Sequence, residues 1–184
     1  MKKIFQDYIF LFGIAGFLVW LDQWSKEMVR QNLAFQETWV PWPWLLRYAR
    51  IVHWKNTGAA FGMLQNFGDI FMFLAIIVAL FILYYFPKVP RQDRLIRVAL
   101  AIQFGGALGN LVDRLTQGYV TDFIMLGTFP VFNVADACIS IGVALLILGV
   151  WLKDRQEGRA ARAAAQEPAR EEVPEAISED SKFG

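Results

Sequence analysis

Four blocks of apolar residues constrain the fold of this chain, and they cover residues 8–21, 70–86, 95–112 and 137–152. Each block is slightly shorter than the roughly 20 residues that a helix needs to cross a bilayer. Flanking residues such as Arg97, Trp151 and Lys153 can extend the spans by snorkelling or by anchoring at the interface. Hydrophobic residues make up 56% of the chain and charged residues 19%, which is unusual for a soluble domain. The sequence therefore predicts an all-α membrane protein with four transmembrane helices.

The first block also has features of a secretory signal peptide, because Lys2 and Lys3 precede it. No small-x-small cleavage site follows, and the chain continues into the polar residues Asp22, Gln23 and Lys26. We therefore interpret this block as a retained helix.

The distribution of Lys and Arg residues predicts the orientation of the chain. Four spans place both termini on the same side of the membrane, and a cytoplasmic location for the termini puts most of the cations inside. Residues 23–69 and 113–136 then lie outside, at the outer membrane surface.

Residues 26–68 form the largest segment between spans, and their aromatic residues and prolines are typical of a short extended structure. We expect a small extracytoplasmic β-cradle that lies on the membrane, with residues 23–33 continuing from the first span as an amphipathic helix. The sequence thus predicts a membrane domain over residues 1–153. Residues 154–184 are rich in Ala, Glu, Arg and Pro, and we expect them to form a disordered cytoplasmic tail, with a helix at its start as the open alternative.

Composition also limits the partners and cofactors of the chain. The formal net charge of +1 gives no argument for a nucleic-acid partner. Cys138 and His53 are the only residues of their types, so we expect no disulfide and no metal site. We expect the chain to need no cofactor.

Ionisable residues at the ends of membrane spans indicate functional sites, because their desolvation must be compensated. Most such residues here fall at the predicted outer ends of the helices, with Asp122 in the loop between the third and fourth blocks. The other ionisable residues at these ends are Asp22, Lys26, Asp113, Arg114 and Asp136, and the polar amides Asn110 and Asn133 lie beside them. The sequence predicts that these polar groups converge at one level of the membrane.

Structural roles for these residues remain alternatives at this point. Asp22 and Lys26 are four residues apart and can form an ion pair within one helix. Asp113 and Arg114 can form a second structural pair. Small residues in the third block, including Gly105 and Gly109, are typical of close helix packing.

Asp122 and Asp136 are the candidate catalytic pair. Two neighbouring carboxyl groups cannot both ionise easily, so they share a proton, and such a pair can activate water as in aspartic proteases. The alternative is that each acid caps a helix or pairs with a cation, since Asn133 or Asp136 is a suitable N-cap for the fourth helix.

Two other classes of protein compete with a protease of this kind. A transporter subunit or lipid-binding scaffold predicts polar residues at the bilayer midplane and a water-lined path, whereas the polar residues here cluster towards one face. A serine intramembrane protease needs a Ser–His or Ser–Lys pair, and His53 has no evident serine partner.

Five short segments together resemble the lipoprotein signal peptidases, the signal peptidase II family of bacteria. They are "LDQWSK" (21–26), "NTGAAFG" (56–62), "GGALGNLVDR" (105–114), "VTDFI" (120–124) and "FNVADACIS" (132–140). They occur in the order typical of the family, among four apolar blocks, and the resemblance covers residues 8–152.

The resemblance implies a multi-pass aspartic endopeptidase of the bacterial inner membrane, acting as a monomer among membrane lipids. Its substrates would be diacylglyceryl-modified prolipoproteins, cut on the amino side of the modified cysteine. The motif match assigns catalysis to Asp122 and Asp136. It assigns substrate-binding or supporting roles to Asp22, Lys26, Asn56, Gly106, Asn110, Arg114 and Asn133.

Overall fold

The computed structural model describes residues 2–58 and 68–166 of the chain. Its helices are α1 (Lys2–Asn32), α2 (Gly68–Tyr85), α3 (Arg94–Gln117) and α4 (Val134–Gln166), and a 3₁₀ helix at Phe86–Lys88 extends α2. Within these residues, all four α-helices are long and apolar enough to cross a membrane. The prediction of an all-α membrane protein with four spans is confirmed.

Helix α3 lies at the centre of the helical bundle and packs against the three other helices. Small residues allow this close packing: a Cβ atom on Gly105 would lie 3.1 Å from the Cα atom of Ala15 in α1. Leu11, Phe86 and Phe104 contribute to a core that is buried between the helices. The outer faces of the helices carry exposed large apolar side chains, which suits contact with lipid chains.

Two helices continue beyond their apolar blocks. Helix α1 runs to Asn32, in agreement with the predicted helical continuation over residues 23–33, so the extended segment begins after Asn32 and not at residue 26. Helix α4 includes residues 154–166, the start of the predicted tail, where the sequence left a helix open as an alternative. Ala, Arg, Glu and Gln in this stretch are strong helix formers, and α4 supplies the preceding turns. Residues 167–184 lie outside the described part of the chain.

A three-stranded antiparallel sheet covers one end of the bundle, in the order β1 (Thr38–Trp39), β2 (Ala49–Asn56) and β3 (Val120–Leu126). The prediction of a small sheet is confirmed, but its third strand comes from the α3–α4 connection, where the sequence predicted a loop. Gly118 ends α3 with a φ of +75° and turns the chain into β3.

A buried ion pair occupies the opposite end of the bundle. The guanidinium of Arg97, on α3, donates to the Asp7 carboxylate on α1 at 2.7 Å, and both side chains are buried. The sequence prediction that Arg97 extends its span by snorkelling is therefore wrong, because a carboxylate from another helix holds the guanidinium inside the bundle.

Candidate active site

The two candidate catalytic acids lie where the sheet meets the helices. Asp122 is the third residue of β3 and is almost completely buried, whereas Asp136 lies in the first turn of α4 and is partly exposed. Both residues line the same cavity of about 480 Å³. Strand β2 runs beside β3 with Trp54 opposite Asp122, which places the acid between the sheet and the ends of the helices.

Asn133 links the two acids. Its side-chain Nδ2 donates to Asp122 Oδ1 at 2.7 Å, and its backbone N–H donates to Asp136 Oδ2 at 3.2 Å. The backbone N–H of Asp136 donates in return to Asn133 Oδ1 at 2.9 Å. This reciprocal pair is a capping arrangement in which Asn133 is the N-cap of α4. The sequence left two alternatives for Asp136, a helix cap or a member of the catalytic pair. In the structure Asp136 takes part in the cap of α4 and also lines the cavity.

Asn110 connects helix α3 to both sides of the site. Its Nδ2 donates to Asp136 Oδ1 at 2.8 Å, and its Oδ1 accepts from Lys26 Nζ at 3.0 Å and from Asn133 Nδ2 at 3.1 Å. Since the Lys26 ammonium can only donate, it fixes which end of the Asn110 amide faces Asp136.

Asn56 approaches Asp122 from the sheet. Its Nδ2 donates to Asp122 Oδ2 at 2.9 Å, while its Oδ1 accepts from the backbone N–H of Gly58 at 2.9 Å. Each oxygen of the Asp122 carboxyl group thus accepts from one asparagine amide. The motif that begins at Asn56 continues into residues 59–62, which lie outside the described residues.

A buried group of charged residues contacts the site without lining the cavity. Lys26 Nζ lies 2.7 Å from Asp22 Oδ2 and 3.4 Å from Asp113 Oδ2, and all three side chains are inaccessible to solvent. Asp22 also accepts from the backbone N–H of Ala135 at 2.9 Å, and Asp113 accepts from that of Thr121 at 2.8 Å. The ion pair therefore ties α1 to the residues that directly precede both candidate acids.

Asp113 has a different partner from the one that the sequence suggested. It pairs with Lys26 and lies 3.6 Å from the Arg30 guanidinium, whereas Arg114 lines the cavity. In the described residues the Arg114 guanidinium makes one hydrogen bond, to the Asn110 carbonyl at 3.5 Å, and stands over the Phe71 ring. The guanidinium of Arg114 has several N–H donors and can bond to a molecule in the cavity.

Two glycines of α3 contact the neighbouring helices directly. A Cβ atom on Gly106 would lie 2.6 Å from the Ala135 carbonyl oxygen, and one on Gly109 would lie 2.7 Å from Asp22 Oδ2. Gly106, which the resemblance associated with substrate, therefore lies in the contact between α3 and α4 and is not among the cavity-lining residues.

Burial raises the pKa of Asp122 to about 7, and the neighbouring Asp136 carboxylate contributes further. The Asn56 and Asn133 amides act in the opposite direction, because they donate to the ionised carboxylate. Asp122 therefore keeps its proton to a much higher pH than an ordinary aspartate does, and the pair can hold one proton near neutral pH.

The remaining wall of the cavity is apolar. Phe71, Leu74 and Val78 from α2 face Ile139 of α4 across it. An apolar wall beside two acids suits a substrate that carries both a lipid and a peptide. In residues 2–58 and 68–166, no group of three or more His, Cys, Asp or Glu side chains could hold a metal ion, and His53 is bonded to the Leu33 carbonyl.

Sequence reasoning missed Gln23 and Thr121. Gln23 Nε2 donates to the Gly109 carbonyl and to Asp113 Oδ1, and Thr121 accepts from Arg30 through its hydroxyl. Gln23 lies inside the "LDQWSK" segment, where a second polar residue beside Asp22 was the available signal.

Comparison with known proteins gives a consistent result. A family model described as signal peptidase (SPase) II matches residues 14–152. A lipoprotein signal peptidase of Moorella thermoacetica is 39% identical over 146 residues, which cover 79% of this chain and 95% of that protein. One of Mesorhizobium japonicum is 39% identical over 142 residues, covering 74% and 82% of the two chains.

Solved structures agree with this result. A bacterial membrane enzyme structure obtained by the in meso method at 2.3 Å resolution superposes with a TM-score of 0.72 at 33% identity, covering 80% of this chain and 90% of that one. A second, at 1.9 Å resolution, has a TM-score of 0.68 at 33% identity and covers 76% and 91%. The chain thus belongs to the signal peptidase II family of membrane peptidases.

Proposed function

We propose that Asp122 and Asp136 are the catalytic pair of this peptidase, which removes the signal peptide from prolipoproteins. The observation that carries the proposal is the placement of both acids on one cavity, joined through Asn133, with the pKa of Asp122 raised to about 7. Such a pair keeps one proton and one negative charge under conditions where two isolated aspartates would both be ionised.

Peptide hydrolysis follows from this shared proton. The ionised carboxylate takes a proton from a water molecule as the water oxygen attacks the scissile carbonyl carbon, and the protonated carboxyl group donates to the carbonyl oxygen. The tetrahedral intermediate then collapses: the C–N bond breaks, the leaving nitrogen takes a proton from one carboxyl group, and a hydroxyl group of the intermediate gives its proton to the other carboxylate as the carboxyl product forms. The pair ends with the single proton with which it began.

The other residues of the site orient the pair and the substrate. Asn56, Asn110 and Asn133 hold the two carboxyl groups through the hydrogen bonds described above. Arg114 faces the cavity with donors that suit a peptide carbonyl. Asp22 and Lys26 do not touch the two acids. Asp22 accepts from the Ala135 backbone and Lys26 donates to Asn110, so both serve as positioning residues.

The substrate is a prolipoprotein whose cysteine carries a diacylglyceryl group, cut on the amino side of that cysteine. The apolar wall formed by Phe71, Leu74 and Val78 supports this assignment, since lipid chains can lie against it while the peptide reaches the acids. We further propose that the chain acts as a monomer, with both termini in the cytoplasm and its site on the outer face of the bacterial inner membrane. Residues 1–153 would form the peptidase domain.

The test is cleavage of a diacylglyceryl-modified prolipoprotein by the purified full chain, in wild type, Asp122→Asn and Asp136→Asn. Each substitution keeps the size of the side chain but removes the titrating group, so both variants should lose nearly all activity. Asp154→Asn, which alters an exposed acid on the distant end of α4, is the matched control and should cut normally.

Two further observations complete the test. Thermal unfolding of all four proteins verifies that loss of activity is not loss of folding, and a chelator should leave wild-type cleavage unchanged. Cleavage at the wild-type rate by either Asp122→Asn or Asp136→Asn would overturn the catalytic assignment.

A further inference from the structure

Three arginines and one carboxylate, Asp7, line a cavity at the end of the bundle that is opposite the two acids. Arg91 lies in the connection between α2 and α3, and Arg94 and Arg97 lie in the first turn of α3. Asn110 is 16 residues further along α3, which corresponds to about 24 Å of helix. This basic cluster therefore has no contact with the proposed catalytic pair.

Asp7 holds two of the three arginines in place. Its Oδ1 accepts from Arg97 at 2.7 Å and from Arg91 Nε at 3.0 Å. Arg97 also donates to the Val89 carbonyl, and Arg91 donates to Gln6 Oε1 at 3.0 Å. These bonds use protein groups to fix the positions of both guanidinium groups.

Arg94 differs from the other two arginines. Its side chain is exposed, and within the described part of the chain its guanidinium makes no hydrogen bond or ion pair with another residue. The cluster of three guanidinium groups and one carboxylate thus has more positive than negative charge, and the uncompensated charge faces outward.

A cavity of about 420 Å³ lies against this cluster, between α1 and α3. Its polar wall consists of the three arginines, Gln6 and the Asp7 carboxylate, whose charge is taken up by Arg91 and Arg97, while Phe10 and Val98 form an apolar wall. Phe10 is partly exposed on the outer face of α1, beside the apolar side chains that face lipid. The cavity therefore joins a cationic pocket to the lipid-facing surface.

We propose that this cavity binds the phosphate group of an anionic phospholipid. Guanidinium groups bind phosphate oxygens in a bidentate manner, and basic pockets at the ends of membrane helices suit anionic headgroups. The apolar wall would contact the glycerol and the start of an acyl chain. A free phosphate ion would use only the arginines and would make no contact with the apolar wall.

The experiment measures retained lipid by native mass spectrometry on the full chain in mixed micelles. Wild type is compared with Arg94→Gln in the presence of either phosphatidylglycerol or phosphatidylcholine, which share a phosphate but differ in net charge. Wild type should retain one phosphatidylglycerol in preference to phosphatidylcholine. Arg94→Gln should weaken that retention about fivefold, the effect of one cation near a membrane surface.

Arg159→Gln is the matched control, because it removes one exposed cation from the α4 extension outside this cavity. It should retain phosphatidylglycerol as wild type does. Equal retention of the two lipids by wild type would overturn the proposal, because the site would then not select an anionic headgroup. Equal loss in both variants would also overturn it and would indicate only general attraction to a charged surface. Arg94→Lys should recover part of the binding, since it restores the charge without the planar group.

Inorganic phosphate distinguishes a lipid from a free ion. If phosphate alone raises the unfolding temperature as much as phosphatidylglycerol does, and displaces it, the site binds phosphate ions and the lipid assignment is wrong. The lipid proposal predicts little stabilisation by phosphate. None of these measurements depends on peptide cleavage.

Discussion

At the scale of single residues, Asn133 is the side chain on which the geometry of the site depends most directly. It caps α4, donates to Asp122, and accepts from the backbone of Asp136. The sequence suggested Asn133 as an N-cap and, through the family resemblance, as a site residue. The sequence could not show that the Asn133 side chain both caps α4 and bonds to Asp122. The two residues are eleven positions apart and come together only in the folded chain.

Replacing Asn133 with Ala should therefore reduce both activity and stability. Loss of hydrogen bonds to a charged group should lower kcat by about 10- to 100-fold. Loss of the cap should lower the free energy of unfolding by about 1 kcal/mol. Cleavage kinetics and thermal unfolding measure the two effects.

Asn133→Ser separates the two roles of this residue. A serine hydroxyl can cap the helix but is too short to replace the amide that reaches Asp122. Stability should recover while kcat stays low. Recovery of both would contradict the role assigned to the Asn133 amide.

The pH dependence of cleavage should reflect the pKa of about 7 at Asp122. Above that pH the pair loses its shared proton, so kcat/KM should fall about tenfold per pH unit on the alkaline side. The measurement is kcat/KM between pH 5 and 9 in buffers of constant ionic strength. A flat profile up to pH 9 would contradict a shared proton that titrates near neutrality.

The same pKa has a consequence for folding stability. The pKa of Asp122 is 3.8, the usual value, in the unfolded chain and about 7 in the folded protein, so the folded protein holds this proton more tightly. The contribution of Asp122 to the free energy of unfolding is therefore smallest at high pH. The stabilisation is fully present below about pH 4 and is lost as the pH rises through about 7. Asp122→Asn, which cannot titrate, should gain thermal stability relative to wild type between pH 5 and pH 8.

At the scale of elements, helix α3 is the support for the site, and its glycines decide how closely other helices approach it. The sequence predicted α3 from its apolar block and small residues. It did not predict β3, because the segment around Asp122 is short and pairs with β2, a strand that is distant in sequence. Likewise, Asp7 and Arg97 come from separate helices, and nothing local marks them as partners.

Gly109→Ala should disrupt the site through packing alone. The added Cβ would lie 2.7 Å from Asp22 Oδ2, so the Asp22–Lys26 pair must move and Asn110 with it. We expect a lower unfolding temperature and a loss of activity of about tenfold or more. Both are measured on the purified protein.

Gly16→Ala is the control for this prediction. Gly16 lies in α1, and an added Cβ there would meet no atom within 4 Å. The substitution should leave activity unchanged and should not lower stability, since Ala favours helix more than Gly does. If Gly109→Ala and Gly16→Ala have the same effect on activity and on unfolding temperature, the close approach of Gly109 to Asp22 is not the cause of the loss.

At the scale of the whole molecule, buried polar groups occupy both ends of an apolar bundle. The candidate acids lie beside the sheet, and the Asp7–Arg97 pair lies about the length of a helix away. The apolar blocks were enough to predict this arrangement of spans. Their proposed orientation rests on the distribution of Lys and Arg residues.

Single-cysteine labelling tests the proposed orientation. Cys138 is the only native cysteine and is buried, so Cys138→Ala provides a background without thiols. Lys55→Cys, at an exposed position of β2, should react with a membrane-impermeant maleimide in intact cells. Asp154→Cys on the α4 extension should react only after the membrane is opened, and the reverse pattern would invert the orientation.

The network around Asn110 has a consequence for inhibition. The polar side chains in the cavity and directly behind it are bonded to one another: Asn110 contacts Lys26, Asn133 and Asp136, and Asn133 contacts Asp122. A substitution that weakened an inhibitor by altering one of these groups would also displace the acids. We therefore expect resistance to a compound bound to this network to arise rarely at its polar contacts, and mainly along the apolar wall.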